Sequence, residues 1–221
     1  MAFDHSLNLT LSVSRGISRA DDPDSVYSDA VFSHIRPTIL KDQDFTCYYC
    51  SFKANKWQDV HHLDGDHKNN NPKNLVVTCR LCHLCNHLGY VGTHNLAGLI
   101  ICPAISQQSL NNIVRSLWVG KNGADKDIRE QSTALLDSLY GFPELALREY
   151  GYDGSLHLAN ELLKLPAKKY SDRHKYLADM RLLFFEPGFR DQIHYWSTET
   201  YQSIPTKTWT QIASDQLQIV S

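Results

Sequence analysis

The chain's reading turns on Cys47-Tyr-Tyr-Cys50, His61-His62-Leu-Asp64-Gly-Asp66-His67, Asn74-Leu75 and Cys79-Arg-Leu-Cys82-His83-Leu-Cys85-Asn-His87. Two Cys-x-x-Cys pairs bracket a segment rich in His, Asp and Asn. Zinc takes four soft ligands in a tetrahedron, and a Cys-x-x-Cys turn sets two sulfurs on one short loop. Two such pairs complete a structural site, with a whole hairpin inserted between the knuckles. The second cluster offers three cysteines for two vacancies. At about 100° per helical residue, Cys79 and Cys82, or Cys82 and Cys85, lie roughly 60° apart, so either pair serves. Cys79 and Cys82 are the preferred pair and Cys85 the alternate. The bland alternative is buried unpaired thiols, but clustering at this spacing without an export signal favours metal thiolates.

Residues 58 to 63 and 74 to 78 read as two strands joined by the Gly- and Asn-rich stretch Asp64 to Lys73, and Cys79 to Leu88 reads as a helix. Strand alternation sends His61 and His62 to opposite faces, so one suits a general base and the other a metal contact or packing role. Asn74 is placed to tie the long loop to the hairpin through its amide. His83 and His87, four apart, have the spacing of a two-histidine metal clamp, and Asp64 and Asp66 offer oxygens that magnesium would accept. Each of these residues alone has an ordinary structural explanation; the ordered set is what points to phosphodiester chemistry.

The ordered set resembles the HNH endonuclease family, the ββα-metal fold, over about residues 40 to 90. The resemblance implies His62 as general base, Asn74 as the central asparagine, and His61, His83 and His87 as contacts to a catalytic magnesium, manganese or nickel ion, with His83 in the catalytic set. Zinc on Cys47, Cys50, Cys79 and Cys82 would be structural.

Outward from this core, Leu7-Asn-Leu-Thr-Leu-Ser-Val13 alternates as a strand with one buried face does. Val26, Val31, Phe32 and Ile35 fit one face of a helix from Asp24 to Lys41, which Pro37 should end or restart. Leu99-Ile-Ile-Cys102 reads as a short strand ending at Pro103. Ser106 then caps a helix carrying Leu110, Ile113, Val114, Leu117 and Trp118, which Gly120 stops. From about residue 121 the pattern is mostly helical, including the run holding Tyr176, Met180, Leu183 and Phe184, and no catalytic motif is visible. Trp196, Tyr201 and Trp209 read as packing anchors. The expected fold is α+β: a zinc-stabilised HNH-like domain over 1–120, and a helical region over 121–221.

The flanks are similar to a narrower group. The opening strand, Asp44-Phe-Thr-Cys-Tyr-Tyr-Cys-Ser-Phe-Lys-Ala54, Leu63-Asp-Gly-Asp66, the Cys79/Cys82/Cys85 cluster and Gly98-Leu-Ile-Ile-Cys-Pro-Ala-Ile-Ser-Gln107 with Leu110-Asn111 resemble the IcmJ/DotN family of type IVB secretion systems. That resemblance spans roughly residues 7 to 120. It implies a protein-binding scaffold for a segment of the coupling ATPase (DotL-like) at the cytoplasmic face of the inner membrane. The alternative is an active HNH endonuclease acting on DNA. With 221 residues, 42% of them apolar, the chain can bury a substantial core. It shows no run long enough to cross a membrane and no signal-peptide pattern, so a cytoplasmic protein is expected. A formal net charge of −2 argues against coating nucleic acid by charge alone, so any DNA contact must be local.

Overall fold

The computed structural model describes residues 9–15, 25–143 and 154–202. The architecture is α+β: among the described residues, helices pack with two separate antiparallel strand pairs, each in its own sheet. Among the described residues, no helix is long and apolar enough to cross a membrane.

Helix α1 (Ser25–Asp42) leads into the first Cys pair. It runs unbroken through Pro37, contrary to the expected boundary, although an interior proline costs about 3 kcal/mol. Tertiary contacts on both sides of the proline supply the compensation. Arg36 Nη2 donates to the Gln58 carbonyl at 2.9 Å, and Ile39 and Leu40 are buried with Val60, Leu75 and Val77 of the hairpin. The expected apolar face is only partly used: Phe32 and Ile35 pack on this cluster, whereas Val26 is 81% exposed.

The hairpin pairs β1 (Gln58–His62) with β2 (Leu75–Cys79), in a register that sets His62 opposite Leu75 and Gln58 opposite Cys79. Gln58, Val60 and His62 are buried on one face of β1, and Asp59 and His61 lie half-buried on the other. A 3-10 turn over Pro72–Asn74 closes the long loop, with Asn71 Oδ1 accepting from the Lys73 amide. The single helix expected over Cys79 to Leu88 is two, α2 (Arg80–Leu84) and α3 (Leu88–Thr93). The N-terminal segment causes the interruption: Ser12 donates its amide to the Cys85 carbonyl, and Leu88 donates to the Ser12 carbonyl. Residues 9–13 therefore dock on this break and are not part of a sheet ladder, although Leu9, Leu11 and Val13 are buried as the alternation requires. Residues 7 and 8 lie outside the described residues.

Strand β3 (Ala97–Ile101) is followed by α4 (Gln107–Lys121), whose N-terminus is capped by Ser106 Oγ accepting from the Ser109 amide. Gly120 does not stop α4, which caps at Asn122. Its absent side chain instead lets α5 (Lys126–Tyr140) approach, because a Cβ there would meet Ser132 Oγ at 2.4 Å. Helix α6 (Gly154–Lys164) packs on α3. The short helices α7 (Ala167–Ser171) and α8 (Arg173–Tyr176) lead to β4 (Met180–Phe184), and α9 (Arg190–Tyr195) follows.

Strand β4 corrects the helix expected over Tyr176 to Phe184. It pairs with β3 so that Ala97 faces Phe184 and Ile101 faces Met180. The partner for this strand lies far back in the chain, so local periodicity could not reveal it. Trp118, Leu182, Phe184, Phe189 and Trp196 join the buried cluster that also contains the cysteines of both knuckles. Each large side chain so buried contributes about 1.5–3 kcal/mol. Trp196 is fully buried and Tyr201 packs against the cluster, as expected of anchors; Trp209 lies outside the described residues.

Candidate functional site

The sulfurs of Cys47, Cys50, Cys79 and Cys82 lie within 4.8 Å of one another, in the position and chemistry of a four-thiolate metal site. Local geometry builds it. The first knuckle closes through the Ser51 amide on the Cys47 carbonyl, with Ser51 at a left-handed φ of 58°, and through the Cys47 amide on the Phe52 carbonyl. The Tyr48 amide on the Val77 carbonyl fixes that knuckle to β2. Cys79 ends β2 and occupies the N-cap position of α2, whose first turn carries Cys82 inward. Cys85 lies outside the group and donates to the Leu81 carbonyl; burial pushes its thiol far up, so it is neutral.

Four thiolates around a divalent ion carry two surplus negative charges, and helix α4 meets them with a buried polar stripe. Asn111 Nδ2 donates to Cys82 Sγ at 3.3 Å, and Arg115 Nη2 donates to Cys79 Sγ at 3.5 Å and Cys50 Sγ at 3.7 Å. Gln107 Nε2 donates to Asn111 Oδ1 and to the Leu182 carbonyl, while its Oε1 accepts from the Leu182 amide. Arg115, 1% exposed, also lies 3.6 Å from the centroid of the Phe52 ring. Burial alone would lower its pKa, but negative charge on the sulfurs of Cys79 and Cys50 outweighs burial and raises it. The charge that a metal tetrathiolate requires is therefore already in place, and the donor set fits zinc.

The second cluster faces the other way. One ring nitrogen each from His61, His83 and His87 falls within a 4.8 Å group, with His83 Nε2 and His87 Nε2 at 3.1 Å. Asp59 accepts from His83 Nδ1 at 2.9 Å, which leaves Nε2 of a neutral His83 with its lone pair toward the cluster. Burial would raise Asp59, but the bond from His83 and the charge of Arg80 hold it below the usual carboxylate value. Burial first, then the neighbouring His83 and His87, takes His61 down to about 3; burial, then His83 and Arg80, takes His87 to about 4. All three imidazoles are therefore suited to ligate when neutral. A carboxylate behind one histidine is the support that metal-bound histidines usually have. Three imidazoles fit a borderline transition ion better than magnesium, which prefers oxygen.

His62 points to the opposite face of β1, 7% exposed, with Nε2 at 3.0 Å from Asn70 Oδ1 and its ring 5.2 Å from that of Phe32. It still lines, with His61, His83 and His87, a cleft of about 800 Å³. The lining of that cleft also includes Arg15 and Arg173, whose guanidinium carbons lie 4.6 and 4.5 Å from the Tyr170 ring centroid. Asn74 occupies the expected bracing position: its Nδ2 donates to the Asn69 carbonyl and to Asp64 Oδ1, and its Oδ1 accepts from the Asp64 amide.

Asp64 and Asp66 lie outside the three-histidine group. Asp64 accepts from Asn69, Asn74 and the Asp66 amide, and Asp66 accepts from the Lys68 amide, so both carboxylates shape the loop around Gly65. The stripe Gln107, Asn111 and Arg115 was not legible as part of a site. Its only sequence signal is polar residues at i, i+4 and i+8 among the apolar positions of α4, a pattern a solvated face also gives.

Together the fold and these clusters define an α+β chain with one cluster suited to a tetrathiolate metal and a second, histidine-lined cluster in a cleft. No family model matches the chain. Among curated proteins it is similar to the type 4 apparatus protein DotN of Legionella pneumophila, strain Philadelphia 1, at 27% identity over 180 residues, covering 80% of this chain and 84% of that protein.

Proposed function

We propose that this chain is a component of a type IV secretion apparatus. In it, a zinc-held HNH-like core serves as a scaffold for a segment of the coupling ATPase at the cytoplasmic face of the inner membrane. The likeness to DotN carries this reading, because it extends over most of both chains. The fold supports it physically: the four-cysteine cluster lies within the main buried cluster, so a bound metal would rigidify the whole platform. The test is titration calorimetry of the purified, zinc-loaded chain against the coupling ATPase encoded in the same secretion locus. One-to-one binding with a negative heat-capacity change is expected. Absence of binding to that ATPase would overturn the scaffold role.

A second reading is favoured by one observation, the histidine cluster beside His62 in a single cleft. In this reading the core hydrolyses DNA phosphodiester bonds. His61, His83 and His87 would hold a divalent ion, which when bound supplies electrostatic stabilisation of charge on the phosphate and the leaving oxygen. His62 accepts a proton from water, Asn74 keeps the loop in register with the hairpin, and Asp59 orients His83. Nicking of supercoiled plasmid in magnesium, manganese or nickel tests it, with His62→Ala as the paired control. Metal-dependent nicking that the substitution abolishes is expected; no nicking in any metal by folded, zinc-containing protein would remove this reading.

A further inference from the structure

We infer that Asn70, held by helix α1, is a positioning residue that fixes the tautomer of His62 and leaves Nδ1 as its basic atom. The inference rests on the second reading above, in which His62 takes a proton from water, and it names the atom and the device that prepares it.

Hydrogen bonds with one-way chemistry carry the assignment. Asn70 faces α1 with Nδ2, 3.1 Å from the Ser28 carbonyl and 3.4 Å from Ser28 Oγ. A carbonyl only accepts, and the Ser28 hydroxyl proton is already given to the His67 carbonyl at 2.7 Å. The Asn70 atom facing Ser28 must therefore be the nitrogen, because a flipped amide would set oxygen against two acceptors. Its other end, Oδ1, meets His62 Nε2 at 3.0 Å and also only accepts. Nε2 is then the protonated nitrogen of neutral His62, and the lone pair sits on Nδ1.

Helix α1 contributes twice from one face. Ser28 orients the amide, and Phe32, four residues later, lies against the His62 ring at 5.2 Å between centroids. The ring is thus fixed both in its plane and in its proton placement, by an element outside the hairpin and helix that carry the other histidines. In the hydrolysis, a proton of the attacking water passes to Nδ1 and its oxygen bonds phosphorus. The bond to the leaving oxygen breaks, and that oxygen takes a proton from solvent.

The test is long-range 1H–15N correlation spectroscopy of the full chain with 15N-histidine, His62 being assigned by its absence in His62→Gln. Wild type is expected to show a protonated Nε2 and a lone-pair Nδ1. Asn70→Leu, which removes the acceptor for Nε2–H, should convert this to a mixture. An Nδ1-protonated wild type overturns the inference whether or not the Asn70 variant folds. An Asn70→Leu spectrum identical to wild type overturns it as well. In the plasmid assay, Asn70→Leu should slow nicking about a hundredfold, the lower end of what a positioned base contributes. Nicking that depends on His62 but not on Asn70 sinks the inference and leaves the hydrolytic reading standing. The expected spectra without any nicking would support the positioning by Asn70 and end the hydrolytic reading instead.

Discussion

Arg115 is a cation enclosed by protein, set against the sulfurs of Cys50 and Cys79, with Asn112 Oδ1 and the Phe52 and Trp196 rings completing its surroundings. Leaving the thiolate charge uncompensated in the core is costly, so Arg115→Met should weaken metal retention by about 10- to 100-fold, the usual effect of removing a supporting contact. Arg115→Lys should fall between, because an ammonium supplies charge without the planar fork that reaches Cys50 and Cys79 together. Competition with a chromophoric chelator measures both. The fifth cysteine gives the converse result: Cys85→Ala should keep one metal per chain by elemental analysis, whereas Cys82→Ser should lose it. At this scale the clustered side chains were legible and the residues supporting them were not. Cysteines and histidines announce themselves by spacing, since few other roles need those residue types at those intervals. Gln107, Asn111 and Asn70 are ordinary polar residues until the atoms facing them are known.

Between elements, α3 and α6 meet closely at Gly92. A Cβ on Gly92 would lie 2.4 Å from the Leu156 backbone nitrogen and 2.6 Å from its Cα, so α6 would have to move. Gly92→Ala should therefore destabilise the protein by about 1–3 kcal/mol, as overpacking does, while Gly89→Ala, with nothing near it, should be neutral or gain up to about 1 kcal/mol of helix propensity. Urea unfolding of the two variants checks the contrast. Elements defined by local signals were readable: the hairpin with its Asn-rich loop, and α4 with its serine cap. Elements decided by distant partners were not. Met180–Phe184 becomes a strand because Ala97–Ile101 offers an edge, and α1 survives Pro37 because the hairpin holds its last turns. The break after α2 is likewise set by Ser12, far back in the chain.

For the molecule as a whole, the four-cysteine cluster is a shared centre. Its sulfurs belong to the same buried cluster as Trp118 and Trp196, and Gln107 connects Cys82's partner Asn111 to β4. Zinc binding to such a site supplies folding free energy on the order of 10 kcal/mol. Stripping the metal with a strong chelator should therefore unfold the molecule in one transition, with tryptophan fluorescence and far-UV dichroism changing together. Two separate transitions would show that the centre governs only its own neighbourhood.

Helix α2 presents adjacent residues to opposite destinations, Cys82 into the core and His83 into the cleft. In evolutionary terms this makes the two clusters separable, and unequally so. Replacing His61, His83 or His87 removes half-buried side chains from a cleft wall, so a lineage could shed the cleft's chemistry and keep the platform intact. The knuckle cysteines, by contrast, lie within the main buried cluster, so losing one should disturb the platform on which the histidines stand. Selection for assembly alone would then let the histidines drift while the cysteines stay, whereas selection for hydrolysis would hold both sets.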